Sequence, residues 1–121
     1  ELNIISNLIK NVIFVETSFI DSIKEPKNGD FVYLDPPYFP ETKTSFVDYT
    51  NKGFNIELHN LLFTEIIKLN DKNIKFTLNN SCVDTVLNKF KNFNIKNITA
   101  RRAINSKNPA SNTKEVIITN F

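Results

Sequence analysis

Asp35, Pro36, Pro37 and Tyr38 follow one another without a break: an acid, two rigid imino acids and an aromatic ring. Each proline fixes φ near about −65° and carries no N–H, so the backbone is stiff and offers carbonyl acceptors without adjacent donors. The Asp35 carboxylate adds a further acceptor, and the Tyr38 ring a flat surface for stacking. Together these groups suit a planar ligand bearing an exocyclic amine. The lone pair of such an amine is delocalised into its ring, which makes it a poor nucleophile. Two acceptors directed at its hydrogens favour a pyramidal nitrogen whose lone pair can face an electrophile. They also stabilise the positive charge that develops as the nitrogen attacks. A proline-rich turn after a strand would use the same residue types with no chemistry at all. The apolar run before the acid and the ring after the prolines favour the chemical reading.

The flanking elements decide whether a ligand could reach this tetrapeptide. "FVYL" at 31–34 reads as a short buried strand ending directly on Asp35, and "NVIFV" at 11–15 as another. After a polar, turn-rich stretch over 40–53, "NIELHNLLFTEIIKL" places Leu58, Leu62, Ile66 and Leu69 at helical spacing, with Asn55 as its cap. "IKFTLN" at 74–79 gives a third strand. In "SCVDTVLNKF", Ser81 and Asp84 stand at capping-box spacing and Val83, Val86, Leu87 and Phe90 share one face, which predicts a second helix. "IKNIT" at 95–99 and "EVIITNF" at 115–121 complete the set as two strands with a polar loop between them. Strands alternating with amphipathic helices imply an α/β fold with a mainly parallel sheet and flanking helices. Sites in such sheets lie at the carboxyl ends of strands, where Asp35 follows "FVYL".

Composition narrows the classes further. A chain of 121 residues fits one small domain, and hydrophobic and charged fractions of 40% and 23% are those of an ordinary globular protein. No apolar run approaches the roughly 18 residues of a membrane span, so the chain reads as soluble and cytoplasmic, without a membrane partner. Cys82 is the single cysteine; it excludes an intramolecular disulfide, agrees with a reducing compartment and reads as a small buried apolar residue. A net charge of +2 is too small to identify a nucleic-acid binder, so the distribution of charge must carry that argument. The lone histidine, His59, reads as a helix-surface residue, and no metal site is expected. Methionine is absent and residue 1 is Glu, which predicts a part of something longer with an N-terminal portion missing.

The tetrapeptide resembles the [D/N/S]-P-P-[Y/F/W] signature of amino-methyltransferases that use S-adenosylmethionine. The closer resemblance is to DNA adenine-N6 methyltransferases of the Dam type, in their C-terminal half. It extends to "FVETSFIDSI" (14–23) before the catalytic strand and "TSFVDYTNKGF" (44–54) after the loop, then to the helix bearing His59 and Leu62. "ARRAINS" (100–106) and "KEVIITNF" (114–121) are similar to that family's late Arg-rich segment and final strand, so the match covers almost the whole chain in order. The resemblance implies transfer of a methyl group from S-adenosylmethionine to the N6 amine of an adenine flipped out of double-stranded DNA. Asp35 and the Pro36 carbonyl would accept hydrogen bonds from that amine, Pro37 would hold the loop, and Tyr38 would stack on the base. Phe19 would lie beside the cofactor's adenine, with Asp35 also bordering the cofactor; core packing is the competing reading of Phe19. Arg101, Arg102, Asn105 and Lys107, with Lys43, Ser45, Asn51 and Lys52 nearer the catalytic loop, would contact DNA phosphates.

The resemblance also implies parts that this sequence does not contain. The family's early glycine-rich turn, which accommodates the methionine part of the cofactor, has no counterpart: the two glycines are Gly29 and Gly53. The target-recognition region is not identifiable either. In a strand order of three-two-one-four-five-seven-six, with the last strand antiparallel, two further strands would stand between the run at 12–15 and the strand at 31–34. An unpaired edge is therefore expected, covered by the missing N-terminal part or by self-association. The cell would be a bacterium or the host of a phage or virus. RNA adenine, cytosine-amine and protein-glutamine methyltransferases share the tetrapeptide, and a nucleic-acid-binding module without catalysis or an inert remnant stand as further alternatives.

Overall fold

The computed structural model describes residues 2–41, 53–101 and 112–121. Four helices, α1 (Leu2–Ile9), α2 (Phe19–Ser22), α3 (Ile56–Asp71) and α4 (Asp84–Lys89), accompany four strands, β1 (Phe31–Leu34), β2 (Lys75–Ser81), β3 (Asn94–Arg101) and β4 (Asn112–Thr119). The strands form one sheet in the order β1-β2-β4-β3. β1 pairs with β2 in parallel, and β4 pairs antiparallel with both β2 and β3. Three strands thus run the same way and only β4 is reversed. This is the α/β arrangement expected of the end of a methyltransferase-like sheet, although the reversed strand leaves just one parallel pairing.

α3 carries most of the packing. The Asn55 side chain accepts from Leu58 N–H at 2.9 Å, satisfying one of the first-turn donors. At its other end Asn73 takes φ 57°, Asn73 N–H donates to Asn70 O at 3.0 Å, and Ile74 N–H donates to Leu69 O at 2.9 Å. This Schellman motif turns the chain straight into β2. The buried face of α3 is His59, Leu62, Phe63, Ile66 and Leu69. It packs on Phe76 and Leu78 of β2, Val116 and Ile118 of β4, and Val86 and Phe90, which α4 brings to the same side. Phe63 and Phe90 meet edge to face with ring centroids 5.2 Å apart.

Four expectations fail here. "NVIFV" is not a strand: residues 12–18 are irregular, and Val12, Ile13, Phe14 and Val15 are 51–86% exposed. An apolar run gains a ladder only beside a partner, and the described residues offer it none. His59 is not on the helix surface but 1% exposed, because it lies three and four residues before Leu62 and Phe63 on the same stripe. Ser81 does not cap α4. It belongs to β2, and Val83 occupies the cap position with no side-chain hydrogen bond. Cys82 is half-buried against the core rather than within it.

The sheet's second face has no helix over it among the described residues. Phe31 and Tyr33 on that face are 56% and 60% exposed, and Phe121 lies edge-on to Phe31 at 6.0 Å.

Candidate active site

Leu34 and Leu78 are register partners in the parallel pair, so the chain leaves β1 at the edge where β2 presents Asn80 and Ser81. Gly29, with φ +99° in the turn before β1, adopts a conformation that a side chain would strain. Lys27 N–H donates to Asp30 Oδ2 at 2.8 Å and fixes the entry to the strand. Asp35 follows the last residue of β1 and is exposed, whereas Pro36, Pro37, Tyr38 and Phe39 are half-buried. The four expected platform residues thus stand together at the carboxyl edge of the only parallel pair among the described residues.

The segment beyond the prolines is tied to two strands. Phe39 N–H donates to Asn80 Oδ1 at 2.8 Å, and Ser81 Oγ donates to the Phe39 carbonyl at 2.6 Å. From β4, Glu115 Oε2 accepts from the Tyr38 hydroxyl at 3.4 Å, and Thr113 Oγ1 donates to Glu41 Oε1 at 2.9 Å. Burial, then the carboxylates of Glu115 and Asp35, push the Tyr38 phenol up to about 12. Its hydroxyl therefore stays protonated across the physiological range, and its ring is a neutral stacking surface.

Aromatic rings support the loop from below. The Phe39 ring lies 5.1 Å from His59, His59 lies 4.7 Å from Phe54, and Phe54 lies 5.6 Å from Phe19 (centroid distances). Burial lowers the pKa of His59, so the imidazole is neutral and acts as one more ring in this row. Its Nδ1 and the Nδ2 of Asn80 are buried without a hydrogen-bond partner.

Phe19, half-buried at the start of α2, packs against Phe54 and the core. The Ser18 side chain caps that short helix, accepting from Asp21 N–H at 3.2 Å. Lys43, Ser45, Asn51, Lys52, Arg102, Asn105 and Lys107 lie outside the described residues, and Arg101 is described only as the last residue of β3. Sequence reasoning missed Asn80, Ser81, Thr113 and Glu115. Asn80 carried a legible signal, since it continues the buried phase of Phe76 and Leu78 along β2. Glu115 carried none, being brought to Tyr38 across 77 residues of chain.

Residues 1–104 match the family described as D12 class N6 adenine-specific DNA methyltransferase. The chain is 37% identical over 105 residues to the Type II methyltransferase M1.LlaDCHI of Lactococcus lactis subsp. cremoris, a match covering 85% of this chain and 37% of that protein. It is 38% identical over 107 residues to the Type II methyltransferase M.MjaIII of Methanocaldococcus jannaschii, covering 85% of this chain and 36% of that protein. The chain spans little more than a third of the length of these relatives. With the family match running through the tetrapeptide and the helix that supports it, the chain belongs to the D12 class of N6 adenine-specific DNA methyltransferases.

Proposed function

We propose that this chain is the C-terminal part of the catalytic domain of an enzyme that methylates the N6 amine of adenine in double-stranded DNA. The observation that carries this reading is the Asp35-Pro36-Pro37-Tyr38 platform at the carboxyl edge of β1, held from both β2 and β4. The target adenine is flipped out of the duplex, at a cost of a few kcal/mol, and stacks on the Tyr38 ring. Asp35 and the Pro36 carbonyl accept hydrogen bonds from its amine, turn the lone pair out of the ring plane and stabilise the developing positive charge. Asp35 is exposed, so the proton that the nitrogen loses has a route to solvent.

S-adenosylmethionine, the methyl donor the family implies, supplies an electrophilic methyl group on a sulfonium centre. The residues present fit part of it. Phe19 offers a half-buried ring beside Phe54, two ring contacts from His59 and three from Phe39, the residue after the platform, and Asp35 is read as bordering the cofactor from the platform side. Neither glycine stands in a turn that could cradle the methionine portion, since Gly29 precedes β1 and Gly53 precedes α3. That part of the site belongs to the rest of the domain, as does recognition of the DNA sequence. Arg101, Arg102, Asn105 and Lys107, with Lys43, Ser45, Asn51 and Lys52, contact phosphates and position the duplex without reading it. Among the described residues no helix is long and apolar enough to cross a membrane, consistent with work on DNA in the cytoplasm of a bacterial or phage-infected cell.

The test is transfer of a labelled methyl group from S-adenosylmethionine to unmethylated duplex DNA by the protein at its natural length, with Asp35→Ala beside it. Label is expected in adenine, falling by roughly 10²- to 10³-fold in Asp35→Ala while duplex affinity changes little. Duplex binding with no transfer by the unsubstituted protein would instead mark a binding module, and equal loss of binding and transfer in Asp35→Ala would mark a folding role for Asp35.

A further inference from the structure

The residue after the tetrapeptide is gripped by its backbone, and the end of β2 does the gripping. Phe39 N–H donates to Asn80 Oδ1, and the Phe39 carbonyl accepts from Ser81 Oγ. Asn80 Oδ1 also accepts from Ser81 N–H at 2.9 Å. Two donors on one oxygen fix which way the amide points and join the two side chains into one unit. Asn80 is 0% and Ser81 3% exposed. A strand built for stability alone would carry an apolar side chain at position 80, in phase with Phe76 and Leu78. The amide instead leaves its Nδ2 buried and unpartnered, a cost that an apolar residue would not carry.

We infer that Asn80 and Ser81 are positioning residues for the acceptor platform, setting where the Tyr38 ring and the Pro36 carbonyl stand relative to Asp35. The inference rests on the methyl-transfer reading above. The two prolines are what make a grip at Phe39 effective. Because Pro36 and Pro37 each fix φ, fewer intervening torsions are left to absorb a displacement at Phe39, and it passes back to Tyr38 and the Pro36 carbonyl. Amine activation depends on where those acceptors point, and a misplacement of about 1 Å costs on the order of a hundredfold in rate. Asn80 and Ser81 act through the loop rather than on the reacting atoms.

The experiment uses the protein at its natural length and measures single-turnover methyl transfer per titrated active site, with duplex affinity and melting temperature alongside. Ser81→Ala removes one hydroxyl, Asn80→Ala removes the shared acceptor, and Asn80→Asp keeps an acceptor oxygen in place. The rate is expected to fall roughly tenfold in Ser81→Ala and on the order of a hundredfold in Asn80→Ala, with duplex affinity within about twofold. Asn80→Asp is expected to recover most of the loss. A purely structural role would lower the melting temperature and the yield of active sites without moving the rate per site. That result in Ser81→Ala, which removes too little to prevent folding, overturns the positioning role even if Asn80→Ala does not fold. Asp35→Ala in the same series separates the two levels of failure. If the unsubstituted protein transfers and Asp35→Ala does not, unchanged rates in the β2 variants sink only the positioning role. If the unsubstituted protein puts no methyl group on adenine, the functional reading fails and this inference with it.

Discussion

The Tyr38 hydroxyl ties a stacking ring to a carboxylate on another strand, 3.4 Å from Glu115 Oε2. Ring and tether can be separated. Tyr38→Phe keeps the ring and loses the tether, whereas Tyr38→Ala loses both. Base–aromatic stacking contributes about 1–3 kcal/mol, so Tyr38→Ala is expected to lose roughly 5- to 150-fold in transfer rate and Tyr38→Phe distinctly less; equal losses would deny the ring its role. Titration offers a second check. The phenol is raised from 10.0 to about 12 mainly by burial and then by Glu115, so absorbance should show this tyrosine ionising late, and earlier in Glu115→Gln. The folded state holds its proton longer than the unfolded chain does. The associated stability is therefore complete below pH 10.0 and is lost as pH rises through about 12. The tetrapeptide itself was legible because its chemistry is contiguous. Its tethers were much less so: Asn80 showed only its buried phase along β2, and the sheet alone brings Asn80, Ser81 and Glu115 to the loop.

Helix α3 was legible almost end to end from its cap at Asn55 and the spacing of Leu62, Ile66 and Leu69. What the reading missed was its phase. Grouping His59 with polar residues moved the apolar stripe onto Leu58, although 59, 62, 63, 66 and 69 trace the buried face. The same weighting of residue type over position made Ser81 a helix cap, when it continues a strand. The buried histidine has a measurable signature. Its lowered pKa, caused by burial, means that the folded state resists protonation while the unfolded chain accepts it near the ordinary value of 6.5. Stability from this group is present above pH 6.5 and is lost as pH falls below it towards the folded-state pKa. Urea unfolding above and below that pH should show the loss, and His59→Leu, which fills the Phe39–Phe54–Phe63 pocket with an apolar group, should reduce it. An unchanged pH dependence in the variant would place the sensitivity elsewhere.

At the scale of the whole molecule, the apolar surface is distributed in a way that a self-sufficient domain would avoid. Every described residue of α1 is exposed, including Leu2 at 83% and Leu8 at 75%, and Ile13, Phe14 and Val15 follow at 71–86%. Among the described residues the β1 edge of the sheet is also open, and Phe31 and Tyr33 lie exposed on one of its faces. Sheets with parallel pairs are ordinarily covered on both faces, and the relatives are nearly three times as long as the matched segment. The run read as a strand from sequence failed here for a related reason: no strand among the described residues pairs with it. A comparison of two contexts tests the account. Burying a side chain such as Val or Phe contributes about 1.5–3 kcal/mol. Replacing Phe14 and Val15 together by serine should therefore cost the protein at its natural length several kcal/mol by urea unfolding, on the order of the sum of two such burials. The same pair of substitutions should leave the stability of the 121-residue chain almost unchanged and diminish its self-association. Equal small effects in both contexts would mean that the remainder of the protein does not cover this surface, and an equal large effect in both would mean that the chain already buries it by itself.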